Sequence, residues 1–364
     1  MAPCVNLKAA ARFLLEYEAA GSEALMQAGV MSGLKEPLRI RSVPVPAIAE
    51  DEVLVATHSC GICGTDLHIL EGQAYMPKLP HILGHEPAGV VARIGRAAGG
   101  LKPGDRVIPY LFFNCGECYY CRVGRHQQCL RLSGILGVMC HGGFAEYFKA
   151  PARNLFRLPD NVPFDVGGLI VDAVITAVHA ARRAGLYAGQ NAVVLGVGGV
   201  GLCLVQVLVN AGINVTAVDL VEAKLELARR LGATWTARFA AEQANDAIRD
   251  RAGADGIAAV FDCVGSPQSL AATCRWVRST GRVVVIGESG QPPAATSTEI
   301  AQRELEIIGS RNGTRQDLAE AIGLVERGVV QPPIAAHVPL EDLNTAFDLV
   351  RAGPIGRVVV VVRD

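Results

Sequence analysis

The residues best suited to chemistry in this chain are cysteines. Cys115, Cys118, Cys121 and Cys129 follow the spacing CxxCxxCx7C. Four thiolates this close along one loop surround a single tetrahedral zinc without calling on a distant ligand. A closed four-sulfur shell leaves no position for water or substrate, so the expected contribution of this metal is folding energy. A pair of disulfides fits the spacing less well, because no secretory signal is read ahead of it and the 11 cysteines cluster at ligand spacing; reduced cytoplasm is the expected compartment. A nucleic-acid-binding zinc module would bring a basic stripe, and only Arg122, Arg125 and Arg131 lie nearby.

A second set of candidates is spread over two turns. Cys60 to His68 reads CGICGTDLH, and Gly84, His85 and Glu86 follow as GHE. Together they supply a thiolate, an imidazole and polar neighbours that a fold could gather. Further on, Gly196, Gly198 and Gly201, with Gly199 and Val200 between, spell GxGxxG directly after an aliphatic run and at the start of an apolar one. Small residues there let a pyrophosphate approach backbone amides at a helix N-terminus. Asp219, at the end of the next strand-like run, is placed to accept hydrogen bonds from the adenosine ribose and to repel the extra phosphate of NADP, so NAD is the expected cofactor. Lys224 is a candidate donor to the same ribose, and Arg357 a candidate for the pyrophosphate; a solvated helix lysine and a surface cation are the plain readings of each.

With these motifs together, the sequence resembles the zinc-containing medium-chain alcohol dehydrogenase family, from about Met26 to the C-terminus. The resemblance implies that Cys63 and His85 bind a catalytic zinc, with Asp172 at the third protein-ligand position and water or substrate at the fourth. Many family members carry cysteine at that third position; aspartate occurs there in bacterial members, and a helix-capping role is its competing reading. The resemblance gives Glu86 a role in exchanging with the water and Thr65 a contact to the substrate hydroxyl. It puts His68 at the solvent end of a proton relay through Thr65, and has Asp66 hydrogen-bond His85 and fix its ring. Cys60 reads as a small packing residue.

The activity so implied is reversible oxidation of a primary or secondary alcohol to an aldehyde or ketone. Zinc lowers the pKa of the alcohol and NAD takes the hydride. A polyol, sugar-alcohol or hydroxyacyl-thioester dehydrogenase of the same fold is the alternative. A non-enzymatic nucleotide-binding relative is disfavoured because Cys63, His85 and Asp172 are all present. Two zincs and one NAD per chain are expected, in a homodimer or homotetramer of the kind usual in the family.

These residues need elements to hold them. The chain has 364 residues, half of them hydrophobic, with 40 glycines, which suits two domains of tightly turned α/β architecture. Leu7, Ala11, Leu14 and Glu18 follow helical spacing in an N-terminal extension, residues 1–25. Short strand-like runs such as Glu52 to Ala56 and Gly89 to Ile94, broken by prolines, predict a β-rich domain, which the resemblance makes GroES-like. From about Gly189 strands and helices alternate, predicting a Rossmann doubly wound parallel sheet. The expected boundaries are 26–180 and 316–364 for the zinc-binding catalytic domain and 181–315 for the NAD-binding domain. Charge is nearly balanced, 34 basic against 35 acidic residues, so neither nucleic acid nor a membrane surface is an expected partner and a small-molecule alcohol or carbonyl is. The most apolar stretch, Ala192 to Val209, is interrupted by the glycine motif and is not a membrane span.

Overall fold

The computed structural model describes residues 24–239, 247–291 and 294–363. The helix expected in the N-terminal extension lies outside the described residues, and Leu25, the last residue assigned to that extension, opens the first strand. The chain divides into two compact units: one reaches to Val171 and resumes at Ala335, the other is Asp172–Ile334.

The first unit begins with β1 (Leu25–Met31), β2 (Arg39–Pro44) and the long β3 (Glu52–Ile62), which runs into helix α1 (Gly64–Leu70). β4 (His81–Ile82), β5 (Glu86–Ile94), β6 (Arg106–Pro109), β7 (Phe112–Phe113), β8 (Gly134–Ile135), β9 (Tyr147–Pro151) and β10 (Leu155–Arg157) follow, then helix α2 (Phe164–Leu169). A widened turn, Ile170–Val174, carries the helical run on into the second unit.

The second unit has helix α3 (Ile175–Ala184), β11 (Asn191–Leu195), α4 (Gly199–Asn210), β12 (Asn214–Asp219), α5 (Glu222–Arg230), β13 (Trp235–Arg238), β14 (Ile257–Asp262), α6 (Pro267–Trp276), β15 (Val277–Val285), α7 (Ser297–Gln302), β16 (Glu306–Gly309) and α8 (Arg315–Glu326). Its six strands are all parallel in the order β13-β12-β11-β14-β15-β16. Taken in their own sequence order this is 3-2-1-4-5-6, the doubly wound arrangement. β14 is buried along its whole length, as a strand covered on both faces must be, which is why it reads as a continuous apolar run. Helix α3 packs on α4, and α8 on α3. This unit therefore takes in residues on both sides of 181–315.

The chain returns as β17 (Ile334–Pro339), α9 (Leu343–Arg351) and β18 (Arg357–Val361). These complete a sheet ordered β10-β6-β5-β3-β18-β17, with β9 also paired to β3, beside a smaller sheet β2-β1-β4. β3 is central and almost wholly buried, and α2 packs across β3 and β5. The architecture is thus a β-rich unit plus a Rossmann unit. The helical run Phe164–Ala184 is long and apolar enough to cross a membrane by length and composition, but two-thirds of that window (67%) is buried, so its apolar face already has a core to pack on.

Candidate metal centres and nucleotide loop

The four-cysteine loop closes on itself. Sulfur–sulfur separations are 3.5 Å for Cys118–Cys121 and Cys115–Cys129, 3.8 Å for Cys118–Cys129 and 3.9 Å for Cys115–Cys121. They are far too long for disulfides and match the edge of about 3.8 Å that four sulfurs at about 2.3 Å from one tetrahedral zinc would have. Backbone amides of Cys115 and Arg131 point at Cys129 Sγ (3.4 and 3.3 Å), and that of Cys118 at Cys115 Sγ (3.4 Å). Such donors favour thiolate over thiol: backbone donors pull Cys118 down to about 6, whereas burial outweighs them at Cys129 and pushes that thiol up to about 11. The donor set fits zinc.

A second centre forms where β3 ends and β5 begins. Cys63 sits just before α1, His85 just before β5 and Glu86 at its first position; each brings one ligand atom, and these atoms lie within 4.8 Å of one another. The buried carboxylate of Asp66 holds the two turns together. One oxygen accepts from the Cys63 amide (2.9 Å); the other accepts from the Gly84 amide (3.2 Å) and lies 3.3 Å from His85 Nδ1. Gly84 can present its amide this way because its φ is +93°, where a side chain would strike Phe144. Burial opposes a charged His85 ring, but Asp66 and the Cys63 sulfur outweigh it and hold its pKa well above the ordinary value. Thr65 Oγ1 is 3.8 Å from Cys63 Sγ, and His68 lies three residues further along α1, half-buried. Burial first, and then the nearby Asp66 and Glu86 carboxylates, push the Cys60 thiol well up, so this fully buried sulfur packs as a neutral group beside the centre.

The Glu86 carboxylate is wholly buried and paired with Arg357 at 2.8 Å; the same guanidinium nitrogen is 3.5 Å from Cys63 Sγ. The sequence reading directed Arg357 to a pyrophosphate; in the structure its guanidinium is engaged by Glu86 and Cys63. The antiparallel register that sets Val358 against Ile62 brings Arg357 alongside Cys63, within reach of that thiol and of the Glu86 carboxylate.

In the second unit β11 turns into α4 through the glycine motif. Gly196 has φ +88°, and a Cβ on Gly201 would stand 2.1 Å from the Gly196 carbonyl oxygen, so strand and helix approach as closely as they do only with glycine at both places. A Cβ at Gly198 would meet nothing within 4 Å, which leaves open space before the helix. The first hydrogen bond within α4 runs from Leu202 to Gly198, so the amides of Gly199, Val200 and Gly201 precede the helical ladder and face the loop. Asp219 accepts from the Val197 amide (2.9 Å) and the Val221 amide (3.0 Å), which aims its carboxylate across the loop. Lys224 stands half-buried in the first turn of α5.

Comparison with known proteins decides the family. Residues 49–160 match the alcohol dehydrogenase GroES-like domain and residues 199–327 the zinc-binding dehydrogenase domain. An alcohol dehydrogenase of Geobacillus stearothermophilus is 36% identical over 340 residues, covering 93% of this chain and 100% of that one. The chain belongs to the zinc-containing medium-chain alcohol dehydrogenase family. An L-threonine 3-dehydrogenase of Bacillus velezensis is 32% identical over 330 residues, covering 88% and 94%. The crystal structure of an alcohol dehydrogenase from Aeropyrum pernix superposes with a TM-score of 0.86 at 29% identity, covering 92% and 100%.

This dehydrogenase also uses residues that sequence reasoning passed over. A Cβ at Gly61 would lie 2.1 Å from Glu86 Oε2 and 2.6 Å from Leu169 Cδ2, so glycine is what admits the buried carboxylate. At the end of β14, fully buried Asp262 accepts from the amides of Val264 and Gly265 (2.9 Å each) and from Ser269 Oγ (2.8 Å), shaping the turn beside the glycine loop. An acid closing an apolar strand before Gly265 and Ser266 is the one sequence signal that marks it.

Proposed function

We propose that this chain is an NAD-linked alcohol dehydrogenase that reversibly oxidises a primary or secondary alcohol at a zinc held by Cys63, His85 and Asp172. The observation that carries the reading is the convergence of Cys63, His85 and Glu86 around buried Asp66. Asp172 sits in the widened turn Ile170–Val174. Asn312 donates to its carboxylate at 3.2 Å.

Zinc supplies the Lewis acidity that lowers an alcohol's pKa, and NAD the hydride acceptor. The protein's own part is positioning and proton transfer. The Thr65 hydroxyl, beside the Cys63 sulfur, holds the substrate oxygen; His68, further along α1 and half-exposed, hands the proton to water. Asp66 keeps the His85 ring oriented, and Arg357 balances the buried charge of Glu86, a carboxylate that would be a further donor beside the zinc. Asp219 receives the adenosine ribose hydroxyls, Lys224 adds a donor there, and the glycine-loop amides take the pyrophosphate. Cys115, Cys118, Cys121 and Cys129 hold the second zinc, which requires the reduced thiols of a cytoplasmic setting. By family likeness the assembly is a homodimer or homotetramer.

The test is metal content per chain, paired with NAD-dependent turnover on a panel of simple alcohols, L-threonine, polyols and a hydroxyacyl thioester, before and after Cys63→Ala. About two zincs falling to one with loss of turnover supports the reading. One zinc in the parent, with turnover indifferent to the substitution, overturns it. The panel decides between a simple alcohol and the other substrate classes.

A further inference from the structure

The second unit carries a concavity of about 740 Å³ far from its glycine loop. In the parallel register Leu195 and Asp262 mark the end of the sheet at which that loop sits. The concavity is lined by Ile257 and Val277, the opposite ends of β14 and β15. Its walls present four guanidiniums, Arg249, Arg275, Arg278 and Arg303, against two carboxylates, Asp250 and Glu299.

The charges are unequally occupied. Arg303 is paired with Glu299 (3.0 Å) and donates to the Cys274 carbonyl (2.7 Å); Arg278 donates to the Asp255 carbonyl (2.8 Å). The guanidiniums of Arg249 and Arg275 have no hydrogen bond or ion pair among the described residues, although the Arg249 carbonyl accepts from the Ala252 amide (3.1 Å). Two committed arginines therefore form a fixed frame beside two uncommitted ones, around a space with an excess of positive charge. At the rim a Cβ on Gly253 would meet nothing within 4 Å, and the buried Trp276 contributes to the lining. Planar guanidinium forks match oxyanions in pairs, and a cavity of this volume suits a small metabolite.

We propose that this concavity binds an anionic small molecule, with Arg249 and Arg275 gripping a phosphoryl or carboxylate group. The site is separate from the dehydrogenase chemistry, so its failure would leave the reading above untouched. Inorganic phosphate and succinate, titrated calorimetrically into the zinc-loaded full chain at low ionic strength, separate the two oxyanion chemistries. Saturable binding of either is expected, weakened at least about tenfold in Arg249→Gln/Arg275→Gln and retained in Gly198→Asp, which crowds the nucleotide loop instead. Arg249→Lys/Arg275→Lys, which keeps the charge but not the fork, should fall between; zinc content and circular dichroism check that each variant is folded. Equal binding in the glutamine variant, loss only in Gly198→Asp, or heats no larger than those of sodium chloride at matched ionic strength overturns the proposal.

Discussion

Asp66 is a single buried carboxylate with two oxygens and three partners, and those partners are the turns that deliver Cys63 and His85. Replacing it with asparagine preserves the shape but removes the charge that orients and polarises the His85 ring. Asp66→Asn is expected to weaken zinc at the Cys63 centre about 10–100-fold while the four-cysteine zinc is kept; chelator competition with zinc counted per chain reads this, and an unchanged affinity sinks the assigned role. His81 shows another residue-level effect. Burial pulls its pKa down to about 4, against its contact with the Gly137 carbonyl, and His58, stacked on Phe164, is lowered to about 4 by burial and then by Arg363 and Arg106. The neutral ring is the folded form. Its stabilisation is complete above the ordinary histidine pKa of about 6.5 and is lost as pH falls through about 4. Melting temperature should therefore drop across that interval, and the drop should be shallower in His81→Gln, which retains a donor toward Gly137; an identical slope would remove His81 from the account.

At the scale of elements, the cluster of Cys63, His85 and Glu86 depends on how closely β3, β5 and α2 approach. Gly61 on β3 and Gly168 on α2 both face Glu86, one its carboxylate and the other its backbone, and neither place has room for a methyl group. Gly61→Ala is expected to cost about 1–3 kcal/mol, because the overlap can be relieved only by moving a buried ion pair or a packed helix. A denaturant midpoint unchanged from the parent would mean that the sheet yields more readily than close packing allows. The nucleotide loop follows the same rule on another backbone: Gly201 is set by the Gly196 carbonyl, and Asp219 by the amide of Val197.

Across the whole molecule, stability is unevenly sourced. The six-stranded parallel sheet rests on a core that includes Val193, Val218, Val260, Trp276 and Val283. The four-cysteine lobe has as its apolar cluster Cys118, Cys121 and Cys129, with Cys115, Tyr120 and Leu132 packed around them. Stripping the metal with a chelator should therefore speed amide hydrogen exchange between Cys115 and Leu132 while β11 to β15 stay protected. Equal protection of the lobe with and without zinc would show that its loops fold unaided. What was legible in the sequence was chemistry whose geometry is local. Four cysteines within one loop, or three glycines between a strand and a helix, settle their own arrangement because few bonds separate them, and the buried parallel strands announce themselves as apolar runs. The strands of the β-rich unit were harder to read, since β4, β7 and β8 have two residues each and no period. Tertiary structure alone placed Arg357 beside Glu86 and Cys63, because that follows from the register of β18 on β3, set by residues far apart in the chain. It alone set Gly61 against the Glu86 carboxylate and gathered four arginines around one concavity, since close approach and charge convergence are properties of packed surfaces that no short stretch of chain contains.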